Sequence, residues 1–498
     1  MTDVVLHHGD CLDVLREMPD SSVDSVVTDP PYGLSNTTSQ QVLDCLTHWV
    51  TGDREYVPAG LRGFMGASWD GFVPPPAVWD ECLRVLKPGG HMLVFAGSRT
   101  QDLMGLSIRL AGFEMRDSIA WMYGTGFPKS LDVSKAIDKA DGRSGTKTPN
   151  SGGYKGGTSF GAGPASWRTE DYVRPRGART PLTTDAVTWQ GWGTALKPAQ
   201  EPIIVARKPL SGTVASNVLR HGTGALNIDG CRVPGARPDG ASVNRSSMSG
   251  PLGEQGRIAP AGRWPANVVL SHTEWCVEVG TRQVRTGTAV NRNRTADNDR
   301  ATYSAYSMGN DKSGEVSYGT DGAETVAAWN CPEGCPVREL DAQSGTLTSG
   351  TLQEHHHRGP KQVGILGAYG AQPGARGFGD TGGASRFFPT FRYQAKAPSS
   401  ERPGYVDDDG VSQAHSTVKP LELMRWMVRL VTPPGGAVLD LFAGSGTTGE
   451  ACSLDGFKCV LIEREARYLP LIEMRLGTTP APVPATPIPL AILLQLIR

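Results

Sequence analysis

Four residues with chemically useful groups follow a short β-branched segment in VVTDPPYGL, residues 26–34. The segment SVVTD predicts a buried strand, so Asp29, Pro30, Pro31 and Tyr32 are expected at its carboxyl end. Open α/β sheets bind ligands at that end of their strands. There a carboxylate can accept hydrogen bonds, the prolines can hold a carbonyl outward, and the tyrosine ring offers a flat face. Taken alone, the same tetrapeptide could be a proline turn with an aspartate cap.

A second motif has the residues expected of a nucleoside site. In AVLDLFAGSGTTGEAC a strand-like segment ends at Phe442, and a turn containing Gly444 and Gly446 leads into a helix. Glu463 ends the next predicted strand, KCVLIE, where its carboxylate can accept hydrogen bonds from both hydroxyls of a ribose. The run GSGTTG is neither the dinucleotide pattern nor a P-loop, which needs a lysine for phosphates. A nucleoside with a positive centre and no phosphate fits better, with Asp440 near its amine end; a plain strand–turn–helix is the alternative.

A third set of residues could hold a metal ion. His272 and Cys276 occur in SHTEWC, and Cys331 and Cys335 occur in CPEGC, with 54 residues between the two pairs. Three thiolates and an imidazole suit a tetrahedral structural Zn²⁺, which would stabilise a region with a thin core. Free buried cysteines and a surface histidine are the alternative. The run His355–His357 is predicted to be a solvated loop that could bind a stray metal.

The order of predicted elements indicates one α/β sheet assembled from both chain ends. Residues 1–141 alternate strand-like and helical segments, residues 142–385 are rich in Gly, Ser, Thr, Arg and Pro, and the α/β pattern returns in residues 386–476. Neither α/β part is long enough for a full doubly wound sheet. The central region is therefore predicted to be a loop-rich inserted lobe, and residues 477–498 a Pro-rich tail.

The charges are unevenly distributed along the 498 residues. Residues 142–300 contain 21 basic and 11 acidic side chains, whereas residues 1–141 contain 11 and 19 and residues 301–498 contain 17 and 20. A basic block between acidic flanks favours a polyanionic partner, although a solvated basic loop region would give the same counts.

Nothing in the sequence predicts a secreted or membrane protein. The nine cysteines lack the dense spacing of a disulfide framework, and the first residues, MTDVVLHHGD, have no signal-peptide pattern. No segment approaches the ~20 apolar residues of a membrane span. The final IPLAILLQLIR is too short for one and could be a docking helix or a disordered tail. We therefore expect a reduced cytoplasmic protein.

Three motifs, DPPYGL, FAGSGTTG and HSTVKPLELMRWMVRLVTPPG, resemble those of the DNA methyltransferases that modify adenine N6 or cytosine N4. The catalytic motif precedes the cofactor motif, as in the permuted β class of that family. The resemblance covers residues 1–141 and 386–476, where SRFFPTFRYQAKAPSSER resembles the family segment that leads into HSTVKPL. It implies a Rossmann-like methyltransferase sheet with S-adenosylmethionine (SAM) as cofactor. It also makes the inserted lobe a target-recognition region.

The resemblance assigns roles to particular residues of the cofactor site. Glu463 would bind the ribose, Asp10 in GDCLDVL would contact the adenine ring, and Thr417 and Lys419 would lie near the methionine end. The predicted contacts along the turn are Phe442, Ala443, Gly444, Gly446 and Thr447.

Methyl transfer to a nucleobase amine accounts for the residue types in DPPY. The lone pair of such an amine is delocalised into the ring, and acceptors on both N–H groups, Asp29 and the Pro30 carbonyl, would free it for the sulfonium methyl. Tyr32 would stack on a base flipped out of the duplex. Aspartate at the first position, where cytosine-N4 enzymes of the family often have serine, favours adenine N6.

These observations predict a site-specific adenine-N6 methyltransferase that acts on double-stranded DNA. Cytosine N4 as the target, a catalytically inactive DNA-binding module on the same fold, and RNA or protein substrates remain as alternatives. By the same resemblance, Tyr123, Phe127 and Lys129 are expected to lie against the flipped base; an aromatic turn packed on the core is the alternative. A homodimer and a cognate restriction enzyme are further expectations from the resemblance.

Overall fold

The computed structural model describes residues 4–63, 68–124, 130–143, 181–233, 263–273, 276–285, 288–290, 315–317, 323–348, 381–391, 403–407, 409–415 and 417–477. Phe127, Lys129, His355–His357 and the C-terminal tail lie outside these residues.

The described strands are β1 (Val4–His8), β2 (Val23–Thr28), β3 (Leu86–Phe95), β4 (Glu114–Met122), β5 (Gln200–Arg207), β6 (Val268–Ser271), β7 (Val277–Arg285), β8 (Thr288–Val290), β9 (Glu315–Ser317), β10 (Ala323–Asn330), β11 (Leu347–Thr348), β12 (Thr381–Gly382), β13 (Thr390–Phe391), β14 (Gly404–Val406), β15 (Ser412–Ala414), β16 (Ala437–Asp440) and β17 (Lys458–Glu463).

The described helices are α1 (Cys11–Glu17), α2 (Ser39–Thr51), α3 (Pro76–Val85), α4 (Gln101–Leu110), α5 (Val133–Ala140), α6 (Thr184–Thr188), α7 (Val214–His221), α8 (Pro336–Ser344), α9 (Leu421–Val431), α10 (Thr447–Asp455) and α11 (Leu469–Leu476). Short 3₁₀ helices span Ser68–Asp70, Asp229–Cys231, Ala384–Phe387 and Ala466–Tyr468.

One large sheet combines strands from both ends of the chain. Its order is β1-β17-β16-β2-β3-β5-β4-β6-β13. The strands from β1 to β3 in this order pair in parallel, whereas β5 is antiparallel to both of its neighbours, β3 and β4. The predicted α/β sheet assembled from both chain ends is confirmed.

The two faces of the sheet bury separate sets of apolar side chains. Successive residues of a strand point to opposite faces, so Val26 of β2 belongs to the core under α1 to α4, and Val27 belongs to the core under α9 to α11. Trp49 and Trp79 fill the first core, and both are 1% exposed or less. The result is a three-layer α/β arrangement, which opens ligand sites at the strand ends.

The central part of the chain also contributes to this sheet. β5, β6 and β13 are members of it, although the segments that contain them lie in or near the loop-rich region of the sequence. β7 and β10 form a separate antiparallel hairpin. The division into 1–141, 142–385 and 386–476 stays a prediction, and the observed sheet takes strands from each part.

The chain forms two compact units, one made of Met1–Thr125 with Gln200–Arg498 and the other of Gly126–Ala199. In the described part of the second unit, α5 and α6 are neighbours. The buried carboxylate of Asp138 accepts hydrogen bonds from the backbone N–H groups of Leu182 and Thr183. Among the described residues, no helix has the length and apolar composition required to cross a membrane.

Candidate active site

The two chemically distinctive turns lie side by side at one edge of the sheet. β2 and β16 are parallel neighbours, with Leu439 opposite Val26, so the turns that follow them leave the sheet at the same edge. The hydroxyl of Thr28, the last residue of β2, donates to Asp440 Oδ1 over 2.7 Å. This buried hydrogen bond joins residues 412 positions apart in the chain. The predicted catalytic and cofactor motifs are therefore physically connected.

Asp29 has one engaged carboxylate oxygen and one unpaired one. Its Oδ2 accepts a hydrogen bond from Lys419 Nζ over 2.6 Å. Its Oδ1 is buried and has no hydrogen-bond partner among the described residues. A buried acceptor without a partner is costly, because it has lost its hydration and gained nothing in return. The oxygen is thus available to an N–H donor that a ligand brings.

Lys419 is the centre of a charged network. Its side chain is 9% exposed, and Nζ lies 2.6 Å from Asp29 and 3.5 Å from Glu201 Oε2. Burial alone would lower the pKa of Lys419, but the Asp29 and Glu201 carboxylates outweigh burial and raise it. Lys419 therefore keeps its charge at neutral pH.

Tyr32 is held by the same network. Its hydroxyl donates to Glu201 Oε2 over 3.0 Å and accepts from Lys419 Nζ over 3.1 Å. Burial and the Asp29 and Glu201 carboxylates raise the pKa of Tyr32 well above its usual value, so the phenol stays neutral. Tyr123 also faces this network, and its hydroxyl donates to Glu201 Oε1 over 3.4 Å.

Asp70 fixes the turn that follows Asp29. Its buried Oδ1 accepts from the backbone N–H groups of Tyr32 and Gly33, over 2.7 and 3.0 Å. Gly33 has φ +67°, and a Cβ there would lie 2.9 Å from the backbone nitrogen of Val73. Thr100 Oγ1 donates to the Tyr32 carbonyl over 2.6 Å. The conformation of DPPYG is therefore imposed by groups outside the motif.

The glycine turn after β16 is organised by Glu463, which ends β17. Glu463 Oε2 accepts from Gly444 N over 2.7 Å, and Oε1 accepts from Glu465 N over 2.8 Å. Glu463 is 7% exposed; burial raises the pKa of its carboxyl and outweighs the two N–H groups, which lower it. Gly444 and Gly446 have φ +55° and +79°, a conformation that glycine adopts without strain. The carboxylate and the turn thus form one hydrogen-bonded unit.

Asp440 lies beneath this turn and has hydrogen bonds to both oxygens. Thr28 and the Phe442 backbone N–H donate to Oδ1, and the Thr448 hydroxyl donates to Oδ2. Asp440 is 3% exposed, and burial raises its pKa to about 6, although the hydrogen bonds oppose the shift. The structure therefore places Asp440 as a link between two turns. Its predicted contact with the amine end of the cofactor stays a prediction.

The remaining predicted cofactor residues surround the same edge. Asp10 is exposed and caps α1, because its side chain accepts a hydrogen bond from Leu12 N over 2.9 Å. The preceding residue, Gly9, donates its backbone N–H to the Glu463 carbonyl. Thr417 is exposed. The other members of the turn are buried or half-buried: Phe442, Ala443, Gly444, Gly446 and Thr447.

His415 is a site residue that the sequence did not single out. Its ring lies against the glycine turn, since a Cβ on Gly444 would be 3.0 Å from His415 Nε2. It packs edge-on against Tyr468 with 4.6 Å between ring centroids. Burial and the charges of Lys419 and Arg467 lower the pKa of His415 to about 4, so the ring is neutral. Glu201 and Asp70 were also missed, because each occurs in a segment without a motif.

The four predicted metal ligands come together in a cluster of their own. The donor atoms of His272, Cys276, Cys331 and Cys335 all lie within 4.8 Å of one another. Cys331 is half-buried and the other three are buried. The candidate metal set is thus one cluster in the described residues.

A family model for N6/N4 DNA methylases matches residues 23–474. The chain belongs to this family. Two curated relatives match over short segments: the type II methyltransferase M.BamHI of Bacillus amyloliquefaciens is 31% identical over 91 residues, which is 18% of this chain and 16% of the relative. The type II methyltransferase M.HinfI of Haemophilus influenzae is 38% identical over 71 residues, or 14% of this chain and 20% of the relative. Both alignments thus span a fifth or less of the relatives' length.

Solved structures match at low similarity. The M1.HpyAVI–SAM complex has a TM-score of 0.33 and 11% identity, with 95% of this chain and 99% of the other covered. The cytosine-N4-specific PvuII DNA methyltransferase has a TM-score of 0.35 and 12% identity, with 100% and 92% covered.

Proposed function

We propose that this chain is a SAM-dependent DNA methyltransferase that methylates N6 of an adenine flipped out of double-stranded DNA. Membership of the N6/N4 DNA methylase family and the connected pair of turns support the proposal. The observation that carries it is Asp29 Oδ1, a buried acceptor with no partner among the described residues, beside a glycine turn of the kind that binds a nucleoside.

The residues at the second turn fit SAM. Gly444 and Gly446 present backbone where a Cβ would lie 3.0 Å from His415 and from Ile472, so the turn has no room for side chains. The Glu463 oxygens each accept one backbone N–H and retain lone-pair capacity for ribose hydroxyls. Bound SAM would supply an electrophilic sulfonium methyl. Asp10, Thr417 and Lys419 are the proposed further contacts, as are Phe442, Ala443 and Thr447.

The catalytic turn would act on the target amine by hydrogen bonding and positioning. Asp29 Oδ1 accepts one N–H of the amine and the Pro30 carbonyl accepts the other, which turns the nitrogen lone pair toward the methyl. Lys419 fixes the Asp29 carboxylate through its other oxygen, so the orientation exists before the base arrives. The amine becomes acidic as it is alkylated, so Asp29 need not be a strong base beforehand.

Tyr32 and the basic central region would supply the DNA contacts. The Tyr32 ring is proposed to stack on the extruded base, because its hydroxyl is already fixed by Glu201 and Lys419. Exposed basic residues of the 142–300 segment would bind phosphates. A homodimer and a cognate restriction enzyme stay predictions from the sequence.

The test is to incubate the full chain with duplex DNA and SAM that carries a deuterated methyl group, then to digest the DNA and analyse the nucleosides by mass spectrometry. Deuterated N6-methyladenine is the expected product. Deuterated N4-methylcytosine instead would overturn the choice of base and keep the reaction. SAM binding without any labelled nucleoside would favour the inactive DNA-binding module.

A further inference from the structure

We propose that His272, Cys276, Cys331 and Cys335 bind one structural Zn²⁺. The four donor atoms lie within 4.8 Å of one another although they come from two segments of the chain. The nine cysteines are all free thiols, so no disulfide accounts for the convergence of these three. The cluster therefore needs a different explanation.

Two of the donor–donor distances match those of a tetrahedral zinc site. With Zn–S of about 2.3 Å and Zn–N of about 2.0–2.1 Å, tetrahedral geometry places sulfur about 3.6 Å from nitrogen. The His272 Nδ1 atom lies 3.3 Å from Cys331 Sγ and 3.7 Å from Cys335 Sγ. An ion can thus be placed between the donors with little movement of the side chains.

The imidazole of His272 has no strong partner of its own. The ring is 1% exposed, and its Nε2 has no hydrogen-bond partner among the described residues. Its Nδ1 faces the sulfurs of Cys331 and Cys335, which are weak hydrogen-bonding groups as thiols. A metal at Nδ1 would replace these weak contacts with a strong bond, which would compensate for burying the ring.

The donor set selects the metal and its role. Three thiolates and one imidazole suit Zn²⁺, whereas carboxylates and carbonyls suit Mg²⁺ or Ca²⁺. Four protein ligands leave no open position for water or substrate, which is the arrangement of a structural site.

The fold removes the objection that the two ligand pairs lie far apart in sequence. Val277 of β7 pairs with Asn330 of β10, so the hairpin places Cys276 and Cys331 at adjacent strand ends. His272 directly follows β6 of the main sheet, and Cys335 precedes α8. One ion would therefore join the sheet, both hairpin strands and a helix.

The small core around these ligands shows what the ion would stabilise. Its buried members are Leu270, Cys276, Cys335 and Val337, so half of them are proposed ligands. Such a small apolar core contributes little stability, and metal binding would offset the deficit. The ring of Trp329 stacks on His272 with 4.1 Å between centroids, which encloses the site further.

The cluster also lies against the strand that leads to Tyr123. β6 pairs with β4, and a Cβ on Gly124, just beyond β4, would be 2.8 Å from the Gly334 carbonyl of the CPEGC turn. The ion would therefore hold the CPEGC turn and the β7–β10 hairpin onto the sheet edge next to Tyr123.

The first experiment measures metal in the full chain, purified without chelators or metal-affinity resin. We expect about one zinc per chain, and its removal by a strong chelator should lower the melting temperature.

Cys331→Ser and Cys335→Ser should each lose most of the zinc. Cys231→Ala, a buried cysteine elsewhere, should keep it, and so should a variant with alanine at positions 355, 356 and 357. Zinc that disappears only in the triple-alanine variant would place the metal on those histidines and overturn the proposal.

Cobalt provides a second measurement that does not depend on whether the serine variants fold. Co²⁺ added to chelator-treated wild-type protein should give thiolate-to-cobalt charge-transfer bands and the intense visible bands of tetrahedral coordination. Weak octahedral bands without charge transfer would overturn the proposal. Purified protein without zinc would also overturn it, if a thiol assay detects all nine cysteines as accessible thiols or detects a disulfide. Bound iron in place of zinc would overturn the choice of metal.

Discussion

The two turns at the candidate active site differ in how the carboxylate oxygens beside them are hydrogen-bonded. After β2, Asp29 has one oxygen on Lys419 and the other buried without a partner among the described residues. At the turn after β16, Asp440 from the end of β16 and Glu463 from the end of β17 have both oxygens hydrogen-bonded to threonines or backbone N–H groups. A satisfied buried carboxylate stabilises the surrounding backbone, whereas an unsatisfied one retains a binding capacity that only a ligand can use. We therefore expect the first turn to determine the rate of methyl transfer. The second turn, where the Glu463 oxygens keep lone pairs for ribose hydroxyls, is expected to determine the affinity for SAM.

Asp29 is predicted to have the largest effect. Asp29→Ala should reduce methyl transfer by about 10³-fold or more, because the oriented acceptor for the target amine is lost. Asp29→Asn should also fail, since its amide offers Lys419 an oxygen but turns an N–H donor toward the amine. SAM affinity, measured by calorimetry, should change little in both variants. Asp102→Ala, on the exposed part of α4, is the control and should behave as wild type. Transfer within tenfold of wild type in Asp29→Ala would contradict the assignment.

Substitution of Glu463 should weaken SAM binding more than it lowers the rate of methyl transfer, the opposite of the effect expected at Asp29. Glu463→Gln replaces one acceptor with a donor that faces a backbone N–H, so we expect SAM affinity to fall about 10- to 100-fold, or about 1.4–3 kcal/mol. The rate at saturating SAM should fall much less. Glu465→Gln is the matched control, because it leaves the backbone N–H of residue 465 in place. An unchanged dissociation constant for SAM in Glu463→Gln would remove this carboxylate from the cofactor site.

The residues that the sequence proposed for the candidate site lie in contiguous motifs, although His415, in the motif HSTVKPL, was not among them. Asp29 and Tyr32 follow a β-branched strand, and Glu463 ends one, so a local pattern marks all three. Glu201 has no such mark, although it bonds to Tyr32 from 169 residues away. Its one signal is an acidic residue at the start of EPIIVAR, an apolar strand pattern within a loop-rich region.

The missed residues share a physical cause. Which strand lies beside which depends on long-range packing, so the position of β5, antiparallel between β3 and β4, could not be derived from the local pattern around Glu201. Asp70 acts through backbone N–H groups of the DPPY turn, and His415 through contact with the glycine turn. Neither contact leaves a periodic or spaced signature. The sequence did single out the His and Cys set, because these residue types at short spacing are distinctive on their own.

A Glu201 variant can test whether the charged network of Lys419, Asp29 and Glu201 contributes to methyl transfer. Glu201→Gln removes one of the two carboxylates that raise the pKa of Lys419, so that pKa should fall. Because the pKa of Lys419 is raised, the lysine stays charged up to higher pH. Activity that needs the charged lysine is lost as the pH rises through that pKa. The alkaline limb of the pH–rate profile should therefore move to lower pH, with a loss of about tenfold in rate at neutral pH. An alkaline limb that stays in place would separate Glu201 from Lys419 function.

Thr28 joins the two turns and should have the smallest effect, one that depends on pH. Burial raises the pKa of Asp440 to about 6 in the folded chain from an ordinary 3.8, so this group favours folding at low pH and loses that contribution as pH rises through 6. Thr28 donates to the carboxylate, and hydrogen bonds to charged groups contribute about 1.5–3 kcal/mol against about 1 for neutral ones. Thr28→Val should therefore destabilise the protein more above pH 7 than below pH 5, as measured by urea unfolding. Thr448→Val removes the hydrogen bond to the other oxygen without breaking the link to β2. Thr448→Val should lower the free energy of unfolding as much as Thr28→Val does, but its rate of methyl transfer should stay closer to that of the wild type. Equal rates of methyl transfer in Thr28→Val and Thr448→Val would show that the hydrogen bond between Thr28 and Asp440 does not position Asp29.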